Sequence, residues 1–158
     1  RLRDTRPFRT DHRQYLTSKK SIFSKIVGEP NAGGFELTFA KFLDDAPDVV
    51  SFAKNYLAVG FKIDYVKADG DLSNYVPDFF VRTNDGVWIV ETKGRVELDL
   101  PQKMNRLRQW CEDATAASAT QNGTAYGFVY VDQAGFEKHA PNSFSGLAKS
   151  FTEYQQET

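Results

Sequence analysis

Asp78, Glu91 and Lys93 are the residues whose types and spacing could do chemistry in this chain. They lie in the stretch from Pro77 to Gly94, where two β-prone runs flank Asp85-Gly86, a pair that supplies the positive φ angles of a two-residue hairpin turn. With Asp85 and Gly86 as the turn residues, Asn84 faces Val87, Phe80 faces Glu91 and Asp78 faces Lys93. Side chains alternate along a strand, so Asp78, Phe80, Arg82, Ile89, Glu91 and Lys93 share one face, and Phe79, Val81, Trp88, Val90 and Thr92 the other. Facing Cβ atoms sit about 4.5–5.5 Å apart and diagonal ones about 7–8 Å, close enough for Asp78 and Glu91 to reach one ion. Hard cations such as Mg2+ favour that oxygen-rich, partly hydrated setting. A one-residue slip would send Asp78 to the face opposite Glu91 and destroy the site. The plainer alternative is a salt-bridge ladder in which the two acids merely neutralise Lys93. Against it, both strands carry a dense apolar load, and three charges beside a core are unusual without a purpose.

The elements that must position these residues are expected in the order helix, strand, hairpin, helix, strand, helix, an α/β pattern that suits a mixed sheet covered by helices. From Phe35 to about Asp44, Phe35, Phe39, Phe42 and Leu43 form a helical stripe with Glu36 at its edge. Glu36 is either a boundary acid that suits the helix dipole or a third carboxylate aimed at the hairpin. Asp45-Ala46-Pro47 reads as a break, with Asp45 capping a second short helix that ends near Asn55. Tyr56 to Val66 should hold the strand before the hairpin, and Lys67 to Val76 a polar loop whose Asp69-Gly70-Asp71 is a turn rather than a calcium loop.

After Gly94 a helix is expected from about Leu100 to Ala117, with Asp99 as a cap and Pro101 in the first turn. Leu107, Trp110, Cys111 and Ala114 make its buried stripe, and Lys103 falls inside that stripe near the amino end. Lys103 either snorkels to water or contacts a phosphate; Cys111 reads as a core residue. Ala125 to Val131 should be a strand, Asp132 to Asn142 a loop, and Ser143 to Tyr154 an amphipathic helix. Ser21 to Val27 is a strand or short helix, broken by the Gly28–Gly34 stretch.

Residues 1–20 are rich in Arg and Lys and read as a basic arm or linker, with an edge strand near Tyr15 and phosphate contact as a further option; residues 21–158 then form a single domain. The formal net charge of −1 makes no global electrostatic case for nucleic acid, so local clusters must carry it. With one cysteine and two histidines, His12 and His139, zinc-type spacing is missing and acidic oxygens remain as metal ligands. No apolar run reaches a membrane span, and the lone cysteine suggests a reducing, cytoplasmic setting.

Pro77-Asp78 followed by Glu91-Thr92-Lys93, on a strand, hairpin, strand and helix after an acidic first helix, resembles the PD-(D/E)xK nuclease superfamily. More narrowly, VPDFFVRTNDGVWIVETKG and the following LPQKMNRLRQWC resemble the carboxyl-terminal endonuclease domain of the restriction subunit of type III restriction enzymes. The resemblance implies a restriction-endonuclease-like mixed sheet of core order α-β-β-β-α-β. It implies Asp78 and Glu91 as metal-binding carboxylates, the Thr92 carbonyl as a further ligand, Lys93 as the residue that orients or activates water, and Glu36 as the less securely matched first-helix acid. It also implies Mg2+, with Mn2+ as a substitute, and double-stranded DNA as substrate. Such enzymes carry a helicase-like motor, whose glycine-rich phosphate loop does not occur here, and a separate modification subunit. One centre should cut one strand, so a double-strand break would take two domains, as in a dimer.

Three readings compete with this one. The chain could be a non-catalytic DNA- or protein-binding module on the same fold, or a resolvase or repair nuclease of the same superfamily. A glycoside hydrolase with paired carboxylates would leave Lys93 unexplained.

Overall fold

A computed structural model of the chain describes residues 1–9, 14–28, 34–93 and 97–155. Parts of the basic arm (10–13, with His12), most of the Gly28–Gly34 break (29–33), Gly94 and the last three positions lie outside the described residues. The protein is mixed α/β. Its centre is a four-stranded sheet built from β3 (Val49–Lys54), β6 (Phe79–Thr83), β7 (Gly86–Lys93) and β8 (Tyr126–Asp132), in that spatial order. β3 pairs antiparallel with β6, with a bulge between Val49 and Ser51; β6 pairs antiparallel with β7, and β7 runs parallel to β8. The parallel step requires a crossover, which α2 (Leu100–Ser118) provides.

Both faces of the sheet are covered, which is why its strands read as continuous apolar runs rather than alternating ones. On one face α1 (Phe35–Asp45) and the short helices α3 (Gln133–His139) and α4 (Phe144–Ser150) bury Phe39, Leu43, Phe79, Val81, Val90, Val131 and Leu147. On the other, α2 and the hairpin of β4 (Ile63–Val66) and β5 (Leu72–Tyr75) bury Phe80, Ile89, Met104, Leu107, Phe128 and Tyr130. A large apolar side chain buried in this way contributes about 1.5–3 kcal/mol. The amino-terminal segment adds a two-stranded sheet of β1 (Tyr15–Thr17) and β2 (Lys25–Val27). Among the described residues no helix is long and apolar enough to cross a membrane.

Several expectations need correction. The segment before Asn55 is the sheet strand β3, not a helix: Pro47 cannot extend α1, Ala46 leaves it with extended ψ 124°, and Val49-Val50 continue as β. Asp48 instead receives the Phe144 and Ser145 amides at 2.7 and 2.8 Å, capping α4. The stretch after Tyr56 reaches the hairpin through β4 and β5, so Lys67–Val76 is half strand; Asp69-Gly70-Asp71 lies in its turn. Residues 133–139 form α3, nucleated by the Asp132 carboxylate accepting the Gly135 amide at 2.7 Å, and the last helix stops at Ser150. Asp99 precedes α2 without a side-chain capping bond and accepts the Ala68 amide instead.

The central hairpin turns one residue earlier than expected. Thr83 pairs with Gly86, so Asn84-Asp85 make the turn, and Phe80 faces Ile89 rather than Glu91. The pairing shift is two residues, which preserves the alternation over the paired residues Phe79–Thr83 and Gly86–Val90. Gly86 is needed in the strand at φ 154°, because a Cβ there would lie 2.3 Å from the Ala125 carbonyl oxygen, the acceptor for the Val87 amide at 2.9 Å.

Candidate metal centre

The shifted register carries Asp78 next to Glu91, one step beyond the Phe79–Val90 pair. The Asp78 amide still donates to the Val90 carbonyl at 3.1 Å, and the Asp78 carbonyl accepts the Asn55 amide at 2.7 Å. Its carboxylate then continues the ladder: Oδ2 accepts both the Thr92 amide and the Thr92 hydroxyl, each at 2.7 Å. The side chain is thereby fixed, and among the described residues no protein donor reaches Oδ1.

Glu91 is almost wholly buried, at 1% exposure. Its Oε2 accepts the Tyr75 hydroxyl at 2.8 Å and its Oε1 the Lys93 ammonium at 2.8 Å. Lys93 also reaches Glu97 Oε1 at 3.0 Å, whose Oε2 binds Lys103 at 2.6 Å. An ammonium has three donors, so Lys93 keeps one for another acceptor. Lys103 joins this cluster with its ammonium 5.8 and 5.7 Å from the ring centres of Tyr65 and Tyr75.

The charges do not balance. Burial, opposed by the Thr92 hydrogen bonds and reinforced by the Glu36 charge, pushes the Asp78 carboxyl up to about 6. Burial and the Asp78 charge push Glu91 up to about 8, against the pull of Lys93. Lys93 is held above the ordinary lysine value: burial opposes its charge, but Glu91 and Glu97 outweigh that. Buried like charges of this kind resist joint ionisation, and a cation relieves them.

Of the expected site residues, the fold brings together Asp78, Glu91, Thr92 and Lys93, with Lys103 one carboxylate away. Glu36 is ion-paired with Lys54, whose ammonium also donates to the Val27 carbonyl at 3.1 Å, and its charge still reaches Asp78. Among the described residues no group of three or more His, Cys, Asp or Glu is placed to hold a metal. The donors present fit a hard divalent ion held by Asp78 Oδ1, a Glu91 lone pair and a main-chain carbonyl, with water completing the shell, a common arrangement for Mg2+.

Sequence reasoning missed Tyr75, Lys54 and Glu97. Tyr75 fell in a stretch read as polar loop, and Lys54 in one read as helix. For Glu97 the only signal was its place four residues after Lys93. Cys111 is buried, and burial pushes its thiol up to about 12, in keeping with a packing role. Compared with protein-family models, curated proteins and solved structures, the chain matches none of them.

Proposed function

We propose that the chain is a metal-dependent endonuclease module that hydrolyses DNA phosphodiester bonds, similar to the cleavage domain of a type III restriction enzyme. The observation that carries this reading is the Asp78 carboxylate, locked on one oxygen by Thr92 and open on the other, beside the Glu91–Lys93 pair. The element succession also supports it: with the β4–β5 hairpin as an insertion, α1, β3, β6, β7, α2 and β8 follow the α-β-β-β-α-β order of restriction-endonuclease-like folds.

In this reading Asp78 and Glu91 bind Mg2+ or Mn2+. The ion, when bound, supplies charge neutralisation for the phosphodiester and acidifies water beside it. Lys93 uses its remaining donor to hold the attacking water or a phosphate oxygen, placing positive charge where negative charge builds. Thr92 fixes Asp78, and Tyr75 fixes Glu91, so neither carboxylate must reorganise. Attack by water on phosphorus breaks the bond to the 3′-oxygen and leaves a 5′-phosphate. Double-stranded DNA, a motor domain, a modification subunit and a second copy for double-strand cleavage are the partners this reading implies.

The test is supercoiled plasmid incubated with the chain in Mg2+ or Mn2+, beside Asp78→Asn, Lys93→Ala and a chelator control. Nicking that disappears in both variants and in chelator is the expected result. Equal nicking by wild type and both variants sinks the assigned site. One observation favours a second reading, a non-catalytic module: both Glu91 oxygens already have protein partners. DNA binding with no nicking under any divalent ion would select it.

A further inference from the structure

We propose that a cleft between the amino-terminal segment and the end of β3 binds an unpaired stretch of the DNA strand that enters the metal centre; its choice of DNA rests on the nuclease reading. The cleft has a volume of about 490 Å³, and its lining includes Arg6, Phe8, Phe23, Lys25 and Tyr56. Three of these are rings in mutual contact: Phe8 lies 5.0 Å from Tyr56 and 6.5 Å from Phe23, and Phe23 lies 5.6 Å from Tyr56. The cluster is not closed off, since Phe8 remains 41% exposed.

Cations flank the rings. Arg6 and Lys25 are exposed, and among the described residues neither has a carboxylate partner. The Lys25 ammonium sits 4.7 Å above the ring of Tyr15, itself 56% exposed, which extends the same combination outward. Open aromatic faces beside unneutralised cations are the two components of single-strand recognition: rings stack on bases and cations track the phosphates. Bases inside a duplex already stack on one another and offer no face to Phe8. The substrate this cleft selects therefore has an unpaired segment beside the cut.

Hydrogen bonds and one peptide link join the cleft lining to the metal centre. The Tyr56 hydroxyl oxygen accepts the Val27 amide at 2.8 Å, and the Val27 carbonyl accepts the Lys54 ammonium at 3.1 Å. The neighbouring Asn55 amide donates to the Asp78 carbonyl at 2.7 Å. Tyr56, in the cleft lining, thus follows directly on the residue hydrogen-bonded to Asp78.

The test is fluorescence anisotropy in chelator with the whole chain and two labelled probes, a dT15 oligonucleotide and a fully paired hairpin duplex. Wild type should bind dT15 more tightly than duplex. Phe8→Ala should weaken dT15 binding about tenfold, the scale of one lost stacked base, and leave duplex binding unchanged. Phe8→Trp should restore it, which separates stacking from damage to the fold. Arg6→Ser with Lys25→Ser should make the salt slope on dT15 shallower by about 1.4, from two phosphate contacts at about 0.7 each. Equal affinity for both probes, or dT15 binding unmoved by Phe8→Ala, overturns the proposal. The two readings therefore fail separately: stacking-dependent binding without nicking removes the nuclease, and nicking with binding indifferent to Phe8 removes the cleft.

Discussion

Two sets of buried charges sit near the carboxyl ends of β3 and β7, and they are built on opposite plans. Lys54 and Glu36 are matched one to one, and the Lys54 ammonium has a further acceptor in the Val27 carbonyl. Asp78 and Glu91 share a single ammonium, Lys93, which is itself divided with Glu97. The first set is complete within the protein. The second carries surplus negative charge in a place where ionisation is costly, with no donor to Asp78 Oδ1 among the described residues. A folded chain keeps such an imbalance where something else completes it, and in the proposed nuclease reading an external cation is that completion.

The contrast breaks most sharply at Asp78. Asp78→Asn should reduce divalent-dependent nicking by more than about a hundredfold, because even outer-shell partners of a metal are worth about 10- to 100-fold. The metal-free protein should not lose stability to match, since the amide removes a poorly solvated charge. At the balanced pair the signs reverse. Lys54→Met should destabilise the chain by about 3 kcal/mol, read by urea denaturation, because it strands Glu36 in a largely buried position. Lys54→Met with Glu36→Leu should recover most of that loss. If the single variant is no less stable than wild type, the pair is not the closed unit described here.

The imbalance also sets a pH dependence. Asp78 and Glu91 are raised in the folded chain, to about 6 and about 8. Between the ordinary carboxyl range and those values the folded state holds protons that the unfolded state has released. Their contribution to stability is fully present below about pH 4 and is lost as pH rises through 6 and then 8. Asp44, Asp69 and Glu97 are lowered, so their contributions are lost only as pH falls through the acid range below that window. In chelator, urea stability should decline by about 5 kcal/mol from pH 5 to 8, and the decline should shrink in Asp78→Asn. Saturating Mg2+ should stabilise the chain more at pH 8 than at pH 5. A metal-free profile flat across this range would mean that the two acids are better solvated than their burial indicates.

The parts of this arrangement visible in the sequence are those fixed by period. Phe35, Phe39 and Leu43 at helical spacing gave α1, Leu107 and Cys111 gave α2, and the apolar run to Val131 gave β8. The alternation along the paired hairpin depends only on parity, which a two-residue shift preserves; Asp78, just before β6, turns its carboxylate to Thr92, which was expected on the other face. The direct juxtaposition of Asp78 with Glu91 depends on the turn. There the Ala125 carbonyl pressing on Gly86 is a contact with the residue just before β8, nearly 40 positions away, so local turn preference was overruled from outside the hairpin. β3 was misread because Val49–Lys54 buries Ala53 and Lys54 in succession and has no clean alternation. Lys54 went unnoticed as Glu36's partner for the same reason: its role exists only once β3 lies beside α1.

Tyr75 gives the finest test of the comparison, because it belongs to the surplus set without carrying charge. Its hydroxyl donates 2.8 Å to Glu91 Oε2 from a position only 2% exposed. Burial and the adjoining Glu91 charge hold its own ionisation well above the ordinary tyrosine range, so it acts as a donor throughout neutral pH. Tyr75→Phe keeps the ring in its core position and deletes that donor. Glu91 then has Lys93 as its main partner and becomes harder to ionise. The expected result is a Mn2+ affinity weaker by about 10-fold, at the low end of outer-shell effects, with a larger deficit at pH 6 than at pH 8.5, where more of Glu91 is ionised in both proteins. Isothermal titration at the two pH values reads this directly. A loss of the same size at both would make Tyr75 a packing residue that happens to touch Glu91, and would locate the control of this carboxylate in Lys93 alone.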